Sequence, residues 1–308
     1  VIASELVSPP SKLLFVGIGD IHGRFHRVAQ WISQLEMARS REVSAVFAVG
    51  DVEAFTQPEH HNRKTSKRGM PAEFSEYAAG TLKMRRPLYF IGGNNEDFAP
   101  LHAMQHGGTL APNVHYLGRY GALEVDGIKV AFLSGIYAPR HYATPLVEPT
   151  TRETSKQAGY FRSVEVEQFL DVERADLMLT HEWPKGLVGK HRGSGKGLAL
   201  RAYSFPWVGN PITRQLVDRI RPSWLWAGHS HVPFAATIGH ADGSLTRVAC
   251  LDQAARPEGA LFWLEWDHGS PVRGGWGPTG EIHWSSGDPW TPAQTPVTLE
   301  APSPDLQS

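Results

Sequence analysis

The chain has a single cysteine, Cys250, among 308 residues. One thiol cannot form an intrachain disulfide, nor can it build a cysteine-based zinc site. That composition fits a reducing compartment. Net charge is also nearly absent, since 30 Lys and Arg face 31 Asp and Glu for a formal −1. A balance so close to zero gives no global attraction to nucleic acid or membrane and leaves only a local basic surface for that purpose. No run of eighteen apolar residues occurs, so no transmembrane helix is expected. Residues 1–12 lack the uninterrupted apolar centre of a signal peptide. The expected location is cytoplasmic, with no membrane partner.

Histidine is what the chain has in plenty, with fifteen copies. Their placement follows from the pattern around them. Short apolar runs at 13–17, 43–49, 88–91, 114–117, 122–125, 130–133, 176–180, 224–227, 235–238 and 261–266 read as strands, with Asp126-Gly127 a hairpin turn. Residues 25–38, with Val28, Trp31, Ile32 and Leu35 at helical spacing, read as a helix, as do 72–79 and 212–220. The alternation predicts an α/β fold. Residues 56–69 read as an exposed polar loop, and from 270 onward a stretch rich in Gly, Pro, Trp and Ser reads as irregular.

The same event recurs at five strand ends: the apolar run stops and a Gly- or Thr-flanked Asp, Asn or His follows. The segments are Gly19-Asp20-Ile21-His22-Gly23, Gly50-Asp51, Gly93-Asn94-Asn95-Glu96, Thr180-His181-Glu182 and Gly228-His229-Ser230-His231. Ligand sites of open α/β sheets lie at the carboxyl ends of strands. Alone, each segment is weak, because Gly-Asp is commonly a turn and a lone His is commonly a hydrogen-bonded structural residue. In sequence they supply two carboxylates, one amide oxygen and four imidazoles. That mixed set suits Mn²⁺, Fe²⁺ or Zn²⁺ better than Mg²⁺ or Ca²⁺. Seven donors exceed one tetrahedral ion and suit two divalent ions sharing a carboxylate.

The order of these motifs resembles the calcineurin-like metallophosphoesterases. The resemblance implies a four-layer α/β/β/α sandwich over residues 13–269, with 1–12 an extension and 270–308 an irregular tail. It also implies two metal positions, one held by Asp20, His22, Asp51 and His231, the other by Asp51, Asn94, His181 and His229. Asp51, Asn95 and His231 become the expected catalytic positions. Further segments are similar to RNA lariat-debranching enzymes: Phe90-Ile91-Gly92-Gly93-Asn94-Asn95-Glu96, Ala111 to Gly118, Ser134-Gly135-Ile136-Tyr137, Thr180-His181-Glu182-Trp183-Pro184, Ala227 to Ala236 and Cys250-Leu251-Asp252-Gln253. The expected reaction is hydrolysis of a phosphodiester in RNA or a nucleotide, 2′–5′ debranching among them.

Two positions depart from the family. Eukaryotic debranching enzymes often carry Cys where this chain has Asp20. The family's Gly-Asn-His reads Gly93-Asn94-Asn95 here, and an amide cannot serve as the general acid that His provides. His26, His106 and His141 stand as alternatives for that role. Arg24, Tyr137, His141 and Trp183 are expected to contact substrate, with Glu96 and Glu182 supporting the ligands. Basic residues between Lys185 and Arg201 read equally as a backbone-gripping loop or as a solvated surface loop, whereas Arg63, Lys64, Lys67 and Arg68 read as a solvated face. Trp224, Trp226, Trp263 and Trp266 are expected in the core. Two other functions remain open: a phosphatase acting on phosphoprotein or a small monoester, and a non-catalytic scaffold with the same fold.

Overall fold

β1 (Lys12–Ile18) explains the architecture, because after Lys12 every residue in it is buried. A strand apolar on both faces must be covered on both faces. Leu14, Val16 and Ile18 join one cluster, while Leu13 and Phe15 join another. The computed structural model of the chain describes residues 12–57, 73–187, 209–267 and 269–283.

β1 pairs antiparallel with β12 (Leu261–Asp267) and parallel with β2 (Ala45–Ala48). β3 (Leu88–Phe90), β4 (Gly108–Ala111), β5 (Val114–Tyr116), β13 (Ser270–Trp276) and β14 (Ile282–His283) complete an eight-stranded sheet ordered β14-β13-β12-β1-β2-β3-β5-β4. The second sheet uses β6 (Tyr120–Val125), β7 (Ile128–Leu133), β8 (Leu177–Thr180), β9 (Trp224–Ala227), β10 (Phe234–Gly239) and β11 (Leu245–Cys250), ordered β10-β11-β9-β8-β7-β6.

Residue parity assigns the layers. Phe15, Phe47, Phe132, Leu179, Trp226 and Phe262 fill the space between the sheets. The alternate residues of the first sheet meet α1 (Phe25–Arg39) through Val28, Trp31, Ile32 and Leu35, and α2 (Phe74–Ala78) through Phe74 and Tyr77. Those of the second meet α5 (Ser163–Phe169) and α6 (Pro211–Ile220) through Val166, Phe169, Leu216, Val217 and Ile220. The result is the four-layer α/β/β/α sandwich. α6 starts where it does because the Thr213 N–H donates to the Asn210 side chain at 2.6 Å, with Pro211 opening the helix. Trp224, Trp226, Trp263 and Trp266 are all core residues.

Two readings differ from the structure. Residues 270–276 and 282–283 are strands of the first sheet, not irregular chain. Glycines at 274 and 275 hide the alternation of β13, while Arg273 pairs with Glu265 at 2.7 Å and Trp276 packs edge-on to Phe262 at 5.1 Å. β11 escaped the sequence reading, as did β4, α3 (Phe98–Ala103), α4 (Arg152–Ala158), α5 and α7 (Pro257–Ala260). All span four to seven residues, too short for a period to register. The basic run at 63–68 and residues 188–201 of the basic loop lie outside the described residues.

Candidate metal centre

All five donor segments lie immediately beyond the carboxyl ends of their strands. Asp20 and His22 follow β1, Asp51 follows β2 and Asn94 follows β3; His181 follows β8 and the His229/His231 pair follows β9. Parallel pairing of β1 with β2, of β2 with β3, and of β8 with β9 aims those ends at one edge of the sandwich. Ligand atoms of Asp20, His22 and His231 lie within 4.8 Å of one another, and so do those of Asp20, Asp51 and His181.

Hydrogen bonds at the far side of two rings fix which nitrogen faces inward. The His181 Nδ1–H donates to the Val49 carbonyl at 2.8 Å, which turns its Nε2 towards the centre. That nitrogen faces Asn94 Oδ1 at 3.1 Å and Asp51 Oδ1 at 3.4 Å. An imidazole nitrogen, an amide oxygen and a carboxylate oxygen thus converge, a donor set that suits a divalent cation. His22 repeats the arrangement: Nδ1–H donates to Glu53 Oε1 at 2.9 Å, leaving Nε2 3.2 Å from His231 Nε2. His231 in turn donates to Asp20 Oδ2 at 2.8 Å, and the His229 N–H donates to Asp20 Oδ1 at 3.0 Å. The donor set fits divalent metal in both places. His229 stands beside the second set with its ring 4.9 Å from that of His181.

The local backbone is bent to reach this geometry. His22, Asp51, Glu53, His229 and His231 all have φ between +46° and +68°. Such left-handed conformations cost non-glycine residues about 1–3 kcal/mol each and persist where the surroundings enforce them. Glycines leave the room: a Cβ on Gly93 would lie 2.2 Å from Asp51 Oδ1, and one on Gly228 would lie 2.3 Å from Asp20 Oδ1.

Protonation follows the packing. Burial would raise the Asp20 carboxyl, but His181 and the bonded His231 overcome it and bring it to about 2. Burial and then His181 lower His229 to about 4, keeping it neutral. His231 is raised, because its bond to Asp20 and the surrounding carboxylates outweigh burial. Glu96 is pushed well up by burial and by Asp51, although it accepts N–H bonds from Val52, Glu53 and Gly93 at 2.8–3.0 Å. It thereby joins the loops after β2 and β3. Glu182, also raised by burial, accepts from Tyr137 N at 2.5 Å and Asn210 Nδ2 at 2.8 Å. The sequence reading missed Glu53; its only signal is an acid two residues past Asp51. It also missed Asp252 just beyond β11, whose carboxyl burial raises to about 6.

The expected substrate contacts divide. Trp183 is 2% exposed and stacks on Phe234 at 5.6 Å, so its ring belongs to the core and cannot stack on a base. Arg24 is half-buried, and its Nη1 is buried without a hydrogen-bond partner among the described residues. Tyr137 packs between Phe161 and Tyr142 and stays half-exposed. His141 stacks on Tyr160 at 5.3 Å, and a Cβ on the adjoining Gly159 would lie 3.2 Å from Asn94 Cα. His26 is tied to Glu76 at 2.7 Å on the surface.

Two packed sheets that bring these donors to one edge are the metallophosphoesterase class of fold. The family model for Calcineurin-like phosphoesterase matches residues 13–233, and the chain belongs to that family. It is similar to lariat debranching enzyme A of Xenopus laevis, 29% identical over 266 residues, covering 81% of this chain and 49% of that protein. The lariat debranching enzyme of Arabidopsis thaliana is 27% identical over 251 residues, covering 76% and 59%. That of Homo sapiens is 26% identical over 276 residues, covering 81% and 49%. The chain thus spans about half the length of these relatives. Among solved structures, a 5′-nucleotidase precursor from Thermus thermophilus matches with TM-score 0.45 and 14% identity, covering 88% of this chain and 56% of that one. Among the described residues, no helix is long and apolar enough to cross a membrane.

Proposed function

We propose that the chain hydrolyses a phosphodiester of RNA or a nucleotide, using water activated between two divalent ions. The observation that carries this reading is the convergence of His181 Nε2, Asn94 Oδ1 and Asp51 Oδ1 within 3.1–3.4 Å, beside the cluster of Asp20, His22 and His231. Asp20, His22, Asp51 and His231 would hold one ion, and Asp51, Asn94, His181 and His229 the other, with Asp51 shared. When bound, such ions lower the pKa of water and offset the charge of the phosphate oxygens. Mn²⁺, Fe²⁺ and Zn²⁺ all suit these donors.

The chain's own residues supply the rest. Glu53 and the Val49 carbonyl hold the His22 and His181 rings in the tautomers that present Nε2. The half-buried Arg24, two residues beyond His22, would supply positive charge for a phosphate oxygen. Tyr137 and His141 would contact a base or sugar. Similarity to debranching enzymes favours a nucleic-acid diester over a phosphoprotein or a small monoester.

The test is turnover of bis-p-nitrophenyl phosphate, a synthetic 2′–5′ branched RNA and a phosphopeptide by Mn²⁺-loaded protein, with Asp51→Ala as control. Cleavage of both diesters, lost in the variant, is expected. Preferential cleavage of the phosphopeptide would transfer the assignment to a phosphatase. No turnover of any of the three would leave a scaffold.

A further inference from the structure

We propose that Asn95 is a positioning residue that clasps the Asp51 carboxylate at both oxygens and supplies no proton to the reaction. Its backbone N–H donates to Asp51 Oδ1 at 2.7 Å, and its side-chain Nδ2 donates to Asp51 Oδ2 at 2.7 Å. Only the NH₂ end of an amide can face a carboxylate at that distance, so the orientation follows from the chemistry. A carboxylate gripped at both oxygens by one residue cannot turn about its own axis. Each oxygen still keeps lone pairs for a cation.

The clasp acts against a second wall. A Cβ on Gly93 would come within 2.2 Å of Asp51 Oδ1, so that glycine packs directly against the oxygen that Asn95 N–H bonds. Asp51 itself sits at φ +46°, a conformation its surroundings must enforce. Two adjacent amides thus do opposite work. Asn94 turns its oxygen towards His181 Nε2, whereas Asn95 turns its nitrogen towards Asp51. Neither has a titratable proton, so the second amide aims the shared ligand without assisting the leaving oxygen.

The clasp rests on the metal-centre reading, and its kinetic consequence rests on the proposed hydrolysis. The experiment therefore has two arms, run on wild type, Asn95→Ala and Asn95→Ser, with folding checked by circular dichroism. Calorimetric titration with Mn²⁺ is expected to show about a ten- to hundredfold loss of affinity in Asn95→Ala. The loss should be smaller in Asn95→Ser, whose hydroxyl keeps one donor. Rates on a series of aryl methyl phosphodiesters should fall in Asn95→Ala by one common factor. The slope of rate against leaving-group pKa then stays that of wild type. Unchanged Mn²⁺ affinity in Asn95→Ala would overturn the clasp, and a steeper slope would show that Asn95 assists the leaving group after all. If wild type turns over no diester, the hydrolysis reading fails, while the affinity arm still decides the clasp.

Discussion

Glu53 Oε1 lies 2.9 Å from His22 Nδ1, with both side chains buried, so a carboxylate stands behind an imidazole that faces the centre. The pair fixes the tautomer and orientation of His22. Glu53→Gln keeps the shape but loses the charge. Mn²⁺ affinity measured by calorimetry should fall about ten- to hundredfold, with the fold intact. Affinity equal to wild type would show that His22 is held by its packing alone.

Room is as specific as charge. Gly93→Ala places a methyl where Asp51 Oδ1 stands and should abolish metal binding. Gly239→Ala meets its nearest neighbour at 3.9 Å and serves as the matched control. Comparable metal binding by both variants would refute the packing argument.

Away from the centre, a buried ion pair secures the segment between β7 and β8. Arg119 donates to both oxygens of Glu165 and to the carbonyls of Ala158 and Tyr160, all at 2.6–3.0 Å. Removing one partner strands the other charge, at a cost of about 3–5 kcal/mol. Urea unfolding of Arg119→Ala should show a loss of that order. A loss below about 1 kcal/mol, the scale of an exposed pair, would mean that water reaches Glu165 freely.

Acid should act on metal loading and on the His231–Asp20 pair of the apo fold with opposite signs. His231 has a raised pKa, so a proton increasingly occupies the ligand as pH falls, and Mn²⁺ affinity declines with it. In the apo protein the same raised value means that the His231–Asp20 pair stabilises the fold below the unfolded-state His pKa. That contribution fades as pH rises through the folded value. Asp20, lowered to about 2, adds stability above the ordinary carboxylate range that is lost as pH falls towards 2. His229, lowered to about 4, works the other way, so the pair is isolated by comparing thermal unfolding of apo wild type with His231→Ala across pH, and the wild-type advantage should be largest on the acidic side of neutrality. A monotonic rise of that advantage from acid into the alkaline range would contradict the assignment.

The sequence made the catalytic edge legible because strand ends punctuated by Gly and a polar ligand are local patterns. Asp20, His22, Asp51, His181 and His231 converge as that pattern implies. Glu53 and Asn95 were legible as residues but not as contacts. Whether an acid two positions beyond a ligand turns inward depends on a left-handed φ at Glu53, which no periodicity encodes. Trp183 misled for a related reason. Its neighbour His181 faces the centre, but the chain turns, and Trp183 packs under Phe234. β13 was hidden by glycines, and its place in the sheet depends on β12, almost entirely buried and in need of a partner on each side.

We propose that Asp51 is shared by two divalent ions that together enable diester hydrolysis. It is tested most directly by titrating chelator-treated protein with Mn²⁺ while recording both heat and turnover of bis-p-nitrophenyl phosphate. Two equivalents bound per chain are expected, with turnover rising as the second enters and lost in Asp51→Ala. Turnover before any metal is added, or binding unchanged by Asp51→Ala, would contradict the account.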